Sequence, residues 1–424
     1  LRTRTALPTS YGDIDLDIQL TLFYGLTCLK QVHINHNGRP VQKKILFLSH
    51  SAGRTGAPIF LLQLVKWLKA TTSLSFQVVH LNGGELLEEF QSTAATTLCI
   101  PEKIDRYVDR LYTLLGIQHT ISDIRFRRFF KHLPPDSIGL VYSNTICNGA
   151  MLSHLAGLRC PVICHVHEME SMIRFFGKKN IEQNKACATH YIAVSERVKQ
   201  NLIRNHGIRQ ECIDIVYPCL DIPALPKTFL DIRSALNIPQ DAFIVFASGK
   251  GICGIKGKDL FIQLAYTVLQ KRPDLPVYFL WVGGDRDAFD EYLFRQDVER
   301  AGLSGRLRLI YDVPNPLDYF NAGDVIVSVS REDSFPLVCL EAAALGKPVL
   351  CFDRAGGMPE FVENDAGYIV PYLDIIAMAD KIIELVRQPD VKNRLGLRAS
   401  EKVRLRHDAA VVFPSILQAI QKFF

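Results

Sequence analysis

The feature that most constrains this chain is a recurring pattern of short apolar runs, each ending in a polar or glycine-bearing stop, with longer helical stretches between them. Lys44-Ile45-Leu46-Phe47-Leu48, Phe76 to Leu81, Leu140 to Tyr142, Val162 to His165 and Tyr191 to Val194 have this form. A run that is apolar at nearly every position has both faces buried, as in a parallel strand covered by helices on either side. After the first run comes the loop Ser51-Ala52-Gly53-Arg54-Thr55-Gly56-Ala57-Pro58, and then Ile59, Leu62, Leu64-Val65 and Leu68 near helical spacing. Strand, glycine-containing loop and helix in that order open a βαβ unit.

The pattern stops and restarts. Pro218, Pro223 and Pro226 cluster as a linker,. Residues 227–239 read as a helix leading into a second series, with strands at Ala242 to Ala247, Val277 to Val282, Leu307 to Tyr311, Val325 to Ser328 and Val349 to Phe352. A length of 424 residues exceeds what one core usually holds, roughly 250–300 residues, so two domains are expected,. The expected architecture is α/β: two Rossmann-like, doubly wound parallel-sheet domains facing a cleft. Residues 1–42 are taken as a leader, 43–222 as the first domain and 223–407 as the second. The amphipathic segment 408–424 is expected to cross back onto the first domain. Ligands of such sheets bind beyond the carboxyl ends of the strands, so the loops there carry the chemistry.

Composition narrows the classes. A net charge of +5 is too mild to argue for nucleic acid and permits weak attraction to anionic or phosphorylated partners,. Eleven cysteines, none in a CxxC pair, read as buried small hydrophobes in a reducing compartment,. No apolar run reaches the roughly 18 residues of a membrane span, and Leu1-Arg2-Thr3-Arg4 lacks a signal-peptide core,. The expected location is therefore cytoplasmic, although the missing initiator Met is compatible with a piece of a longer chain. Two basic-aromatic segments, Arg125-Phe126-Arg127-Arg128-Phe129-Phe130-Lys131 and Arg174-Phe175-Phe176-Gly177-Lys178-Lys179, suit peripheral contact with the inner face of a membrane,. Their plain alternative is a buried phenylalanine stripe with a solvated basic face.

The most informative loop is Arg331-Glu332-Asp333-Ser334-Phe335-Pro336-Leu337-Val338-Cys339-Leu340-Glu341, running on to Gly346. Pro336 and Gly346 mark the two ends of a helix. Asp333 stands at its entrance and Glu341, eight residues on, inside it. An open helix N-terminus between two carboxylates suits a diphosphate flanked by acids that bind hydroxyl groups; on periodicity alone the segment reads equally as a well-capped amphipathic helix with solvated acids. Ser248 to Phe261 holds four glycines with Lys250, Lys256 and Lys258, a composition that cradles phosphate, or else an ordinary turn with surface lysines,. His165-Val166-His167-Glu168 follows a first-domain strand, but its spacing is not that of a metal site,. Asp285-Arg286-Asp287 reads as surface acids.

These loops, in this order over roughly residues 44 to 420, resemble the retaining glycosyltransferases of family 4, the group 1 type with the two-domain GT-B fold. The resemblance rests on Asp333-x7-Glu341 with Phe335-Pro336-Leu337, on Lys256-Gly257, on Trp281-Val282-Gly283-Gly284, on the Gly53 to Gly56 loop and on Gly356-Gly357-Met358-Pro359-Glu360. It implies transfer of a hexose-type sugar from a nucleotide-sugar donor, UDP- or GDP-linked, to a glycan, polysaccharide or lipid-linked acceptor. No metal or other cofactor is expected. His167, Lys256 and Asp333 carry over as catalytic residues. Gly53, Gly56, Lys250, Gly257, Gly283, Glu332, Phe335, Pro336, Leu337 and Glu341 carry over to donor binding. Lys250 stands where many members have Arg, and Asp333, preceded by Glu332, stands where the family has Glu. Two alternatives share the architecture: a non-catalytic nucleotide-sugar binder and a sugar-nucleotide epimerase.

Overall fold

The computed structural model describes residues 43–99, 126, 130, 131, 133, 135–249, 254–284, 288–311, 313 and 315–424. The leader 1–42, Lys250 and Asp285-Arg286-Asp287 lie outside the described residues, as do Arg125 and residues 127–129 of the first basic-aromatic segment.

Two parallel sheets organise the rest. The first contains β1 (Lys44–Ser51), β2 (Phe76–Asn82), β3 (Ala95–Leu98), β4 (Ile138–Ser143), β5 (Val162–Val166), β6 (His190–Ala193) and β7 (Ile213–Ile215), in the order β3-β2-β1-β4-β5-β6-β7. The second contains β8 (Phe243–Ser248), β9 (Val277–Val282), β10 (Leu307–Ile310), β11 (Val325–Ser328), β12 (Val349–Phe352) and β13 (Gly367–Val370), in the order β10-β9-β8-β11-β12-β13. The strand order reverses between β1 and β4 and again between β8 and β11. A crevice opens at such a switch point because the connections on its two sides leave the sheet on opposite faces.

The apolar runs are buried as their sequence requires. Ile45 to Leu48 and Ile244 to Phe246 have no exposed surface. Helix Gly56–Thr71 covers the first sheet with Phe60, Leu61, Leu64, Val65 and Leu68. Helix Lys258–Lys271 covers the second with Leu260, Phe261, Leu264 and Val268. Strands β3, β7 and β13 are absent from the sequence reading because short edge strands carry exposed or polar residues and show no apolar run,.

One expected element is corrected. Residues 227–239 do not form a helix; only Ile232–Ala235 is helical. Pro226 and Pro239 bracket the segment, and Asn237 takes a left-handed φ of 50°. The Arg233 guanidinium gathers the turn by donating to the carbonyls of Ala242 and Ala322 and to Asp324.

The two crossings between the sheets run side by side. Leu220 N–H donates to the His407 carbonyl at 2.8 Å, and Ala409 N–H donates to the Leu220 carbonyl at 2.9 Å. Helix Ala409–Phe423 then packs Val412, Phe413, Ile416 and Ile420 into the core of the first sheet, where Phe413 meets Phe60 at 5.5 Å.

Candidate functional site

At the second switch point the loops after β8 and β11 converge. Gly257 has a φ of +74°, and a Cβ there would stand 2.0 Å from the Val329 carbonyl oxygen, so only glycine lets this loop lie against the end of β11,. The close approach brings Lys256 Nζ to 2.5 Å from Asp333 Oδ2. Arg331 fixes the loop from the other side. Its guanidinium forks onto Asp259 at 2.9 and 2.7 Å and also donates to the Gly254 carbonyl,. Lys256, Asp333 and Pro336 line one recess together with Ser248, Ser330 and Trp281. Gly283, at φ +93°, carries the chain away from β9 beside Ser248.

The acid loop is clasped by the segment after β12. Asp333 N–H donates to the Ala355 carbonyl at 2.8 Å. Gly356 sits at φ +155°, and any Cβ on it would fall 1.5 Å from the Asp333 carbonyl oxygen. Helix Leu337–Ala344 begins with Pro336 as its cap, with no side-chain cap bond and no acid in its first turn. Pro336, Val338 and Cys339 of this helix start line the recess, and a helix start without a capping side chain favours an anion,. Glu341 lies one turn in. Part of its surface is open, yet it is enclosed by protein and makes no hydrogen bond among the described residues. Burial pushes its carboxyl up to about 7, against the opposing pull of Arg54,. An enclosed carboxylate without a partner marks a position kept for a ligand rather than for stability.

Arg54 belongs to the other sheet, in the loop after β1. A Cβ on Gly56 would stand 3.7 Å from Leu337 Cδ1, so the start of helix Gly56–Thr71 faces the start of helix Leu337–Ala344 across the cleft. The Gly53 N–H reaches Ser51 Oγ at 3.4 Å, which turns the loop. Thr55, the cap of helix Gly56–Thr71, makes no side-chain bond to it, and the first turn has no acid.

His167 borders the same space beyond β5. Its Nε2 lies 3.2 Å from Asn144 Oδ1. The Asn144 amide nitrogen donates to the Ala57 carbonyl at 2.7 Å, so its oxygen must be the acceptor and His167 carries its proton on Nε2,. Burial, with His50 nearby, holds the His167 pKa down to about 3, which leaves the ring neutral. His165 is packed behind it, fully buried, with Nδ1 2.8 Å from the Tyr142 hydroxyl. Glu168 is a strut: its carboxylate accepts from Thr145 Oγ1 and from the N–H groups of Ile146 and His167. Among the described residues, no group of three or more His, Cys, Asp or Glu is arranged to hold a metal ion.

Of the expected site residues, Lys256, Asp333 and Pro336 line one recess, Gly257 and Gly283 shape the loops beside it, Gly56 approaches Leu337, Glu341 feels Arg54 of the Gly53–Gly56 loop, and His167 is joined through Asn144 to Ala57. Two others stand elsewhere. The Glu332 carboxylate accepts the Ser171 N–H at 2.8 Å, joining the two domains rather than lining the recess. The Phe335 ring is buried against Tyr217 at 5.5 Å and His407 at 5.3 Å, beside the crossings. Glu360 does related work: it accepts from the N–H groups of Glu196 and Arg197 and from the Tyr217 hydroxyl, capping helix Glu196–His206 of the other domain. Sequence reasoning assigned no role to Arg54, Asn144 or Arg331. Asp259 and Arg331 are 72 residues apart, and no local spacing announces such a pair. Arg54 stood in view between Gly53 and Gly56, but its facing carboxylate lies on the other domain.

Comparison with known proteins gives the same outline. A model described as glycosyl transferases group 1 matches residues 242–388, and one described as glycosyltransferase family 4 matches residues 102–222. Among curated proteins, the D-inositol 3-phosphate glycosyltransferase of Paenarthrobacter aurescens is 26% identical over 325 residues, 72% of this chain and 78% of that one. The proteins of the same name from Kribbella flavida and Corynebacterium urealyticum are 25% and 31% identical, over 52% and 42% of this chain. The chain spans only 53% and 44% of the length of those two relatives. Among solved structures, Anabaena Alr3699/HepE in complex with UDP-glucose superposes with a TM-score of 0.71 at 20% identity, over 89% of this chain and 99% of that one. Sucrose-phosphate synthase from Thermosynechococcus elongatus gives a TM-score of 0.71 at 18% identity, over 90% and 99%. At these identities the superpositions speak for the fold, which is GT-B.

Proposed function

We propose, for a chain that belongs to the group 1 glycosyltransferases of family 4, that it transfers a sugar from a uridine diphosphate sugar to a hydroxyl acceptor with retention of configuration and without a metal ion. The observation that carries this reading is the convergence of Lys256, Asp333 and the uncapped start of helix Leu337–Ala344 at one switch point, with the unpartnered Glu341 behind them. UDP as the nucleotide follows the neighbour whose structure holds UDP-glucose.

In this mechanism the bond from the sugar to the diphosphate weakens, and negative charge gathers on the leaving group. Lys256 releases Asp333 and turns to that charge, and the helix N–H groups meet it from the other side. The helix N–H groups are fixed before reaction begins, and Lys256 has only to exchange one oxygen partner for another,. Glu341 accepts hydrogen bonds from the ribose hydroxyls, which satisfies its buried oxygens. Neutral His167, whose Nε2–H is held by Asn144, offers its Nδ1 as an acceptor to a hydroxyl of the transferred sugar,, and Asp333, once freed, lies beside that sugar. The leaving phosphate takes the acceptor proton, so no protein base is needed. The first domain supplies the acceptor surface, for a glycan, polysaccharide or lipid-linked hydroxyl. Closure of the cleft excludes water and limits hydrolysis of the donor.

The test is a thermal-shift screen with UDP, GDP, ADP and their sugar conjugates, in EDTA. A native-state ligand raises the unfolding temperature by mass action. The expected result is a shift with UDP and a UDP-sugar alone, followed by a product whose anomeric configuration matches the donor. An altered donor instead of a transferred sugar would identify an epimerase. A shift without any reaction over an acceptor panel would favour the non-catalytic binder.

A further inference from the structure

The two basic-aromatic segments have different fates. Phe126 and Phe130 are 2% and 7% exposed, packed in the core of the first domain near Met151 and Leu152. Phe175 and Phe176 are 69% and 42% exposed, edge to face with each other at 5.5 Å. They end helix Glu170–Phe176, whose inward residue is Ile173. Gly177, at φ +87° with open space around it, turns the chain directly into the exposed Lys178 and Lys179. Arg174, one turn earlier, keeps 77% of its side chain exposed while touching Glu170. Lys178 and Lys179 make no ion pair among the described residues. Glu170, the nearest acid on this helix, is shared by Arg174 and His206.

We propose that the Arg174–Lys179 turn is a docking surface for an anionic phospholipid membrane. Two neighbouring phenylalanines on a turn, flanked by three cations, match a bilayer interface: the rings enter the acyl boundary and the cations meet lipid phosphates. A second copy of this chain fits less well. A two-fold contact through the turn would set the same three cations against themselves. The place of the turn adds to the case. The first turn of its helix holds Ser171, whose N–H donates to Glu332 of the acid loop, and Phe175 lies about 6 Å further along the axis,. The docking surface therefore borders the cleft on the side of the first domain. On the transferase reading, it brings the cleft to the depth at which a lipid-linked acceptor presents its hydroxyl.

Vesicle flotation tests this, with phosphatidylcholine vesicles and with vesicles holding about 30% phosphatidylglycerol, at about 0.1 M salt. The chain is expected to float with the anionic vesicles and to stay behind with the neutral ones. Each lysine near an anionic surface raises affinity about fivefold, so K178E/K179E is expected to lose at least about thirtyfold. F175S/F176S, which changes exposed side chains only, is expected to lose binding while keeping its unfolding temperature. No flotation of the wild type, equal flotation with both vesicle types, or unchanged flotation of K178E/K179E would overturn the proposal. So would a wild-type dimer that F175S/F176S converts to a monomer on gel filtration, because a second copy would then cover the turn. The response to UDP reads the donor site separately. Flotation lost with the UDP shift kept sinks the docking surface alone, and the reverse sinks the transferase reading alone.

Discussion

Replacing Glu341 by Gln should stabilise the unliganded protein while destroying its function. Burial lifts the carboxyl from 4.5 to about 7. The folded state therefore holds a proton between those pH values that the unfolded state has released. Stability contributed by the protonated group is full below about 4.5 and falls as pH rises toward 7, because ionisation in place is disfavoured. At about 1.4 kcal/mol per pH unit the cost at pH 8 is bounded near 3 kcal/mol. Solvent at the open part of the side chain brings the expected value to roughly 1–2 kcal/mol. Glu341→Gln keeps the shape and removes the ionisation. Urea unfolding without ligand should therefore show the variant more stable than wild type at pH 8, with the gain shrinking toward zero at pH 4.5. At the same time the UDP thermal shift should fall and transfer should be mostly lost. A gain of equal size at both pH values, or no gain at pH 8, would refute the claim that an unpartnered, desolvated carboxylate sits there.

Other outcomes follow from the same geometry. Lys256→Ala should stay folded and lose about 100- to 1,000-fold in turnover, as when one preorganised charge-stabilising donor is removed; near-wild-type turnover would take Lys256 out of the site. Because His167 stays neutral above a pKa of about 3, the activity ratio of wild type to His167→Ala should be constant from pH 5 to pH 8 in a kcat/KM profile,. An inflection unique to the wild type in that window would show that the ring titrates. Gly356→Ala, whose Cβ would meet the Asp333 carbonyl oxygen at 1.5 Å, should lose UDP binding, with a fall in unfolding temperature that Gly157→Ala, in open space and outside the left-handed region, does not share. Glu360→Ala should cost about 1–2 kcal/mol in urea unfolding, the usual loss of a helix cap, because the N–H groups of Glu196 and Arg197 lose their acceptor,.

The sequence by itself determined the two sheets and where their chemistry lies. Runs such as Ile45–Leu48 and Phe279–Val282 are apolar throughout because helices cover both faces of a parallel sheet, and that demand is local and visible. Lys256-Gly257, Asp333 and Glu341 were singled out by their resemblance to family motifs, to which local physics adds a reason. Backbone approach to a phosphate requires glycine, an anion site requires an open helix start, and both leave short signatures. The edge strands β3, β7 and β13 were not legible, since half-exposed strands are freed from the apolar rule. Nor was the non-helical path of 227–239, which Arg233 imposes by binding carbonyls as distant as Ala322. Only the tertiary structure could decide between neighbours of like chemistry. Of two adjacent acids, Asp333 turns to Lys256 and Glu332 to Ser171 of the other domain. Of two basic-aromatic segments, one buries its phenylalanines and the other exposes them. Glu332 and Phe335, which the resemblance assigns to donor binding, meet the first domain and the crossings, Glu332 at the Ser171 N–H and Phe335 at Tyr217 and His407. Sequence patterns record what each residue needs from its own strand or helix. What faces it across a cleft is set by chain crossings hundreds of residues away, and that is settled only when the two sheets meet.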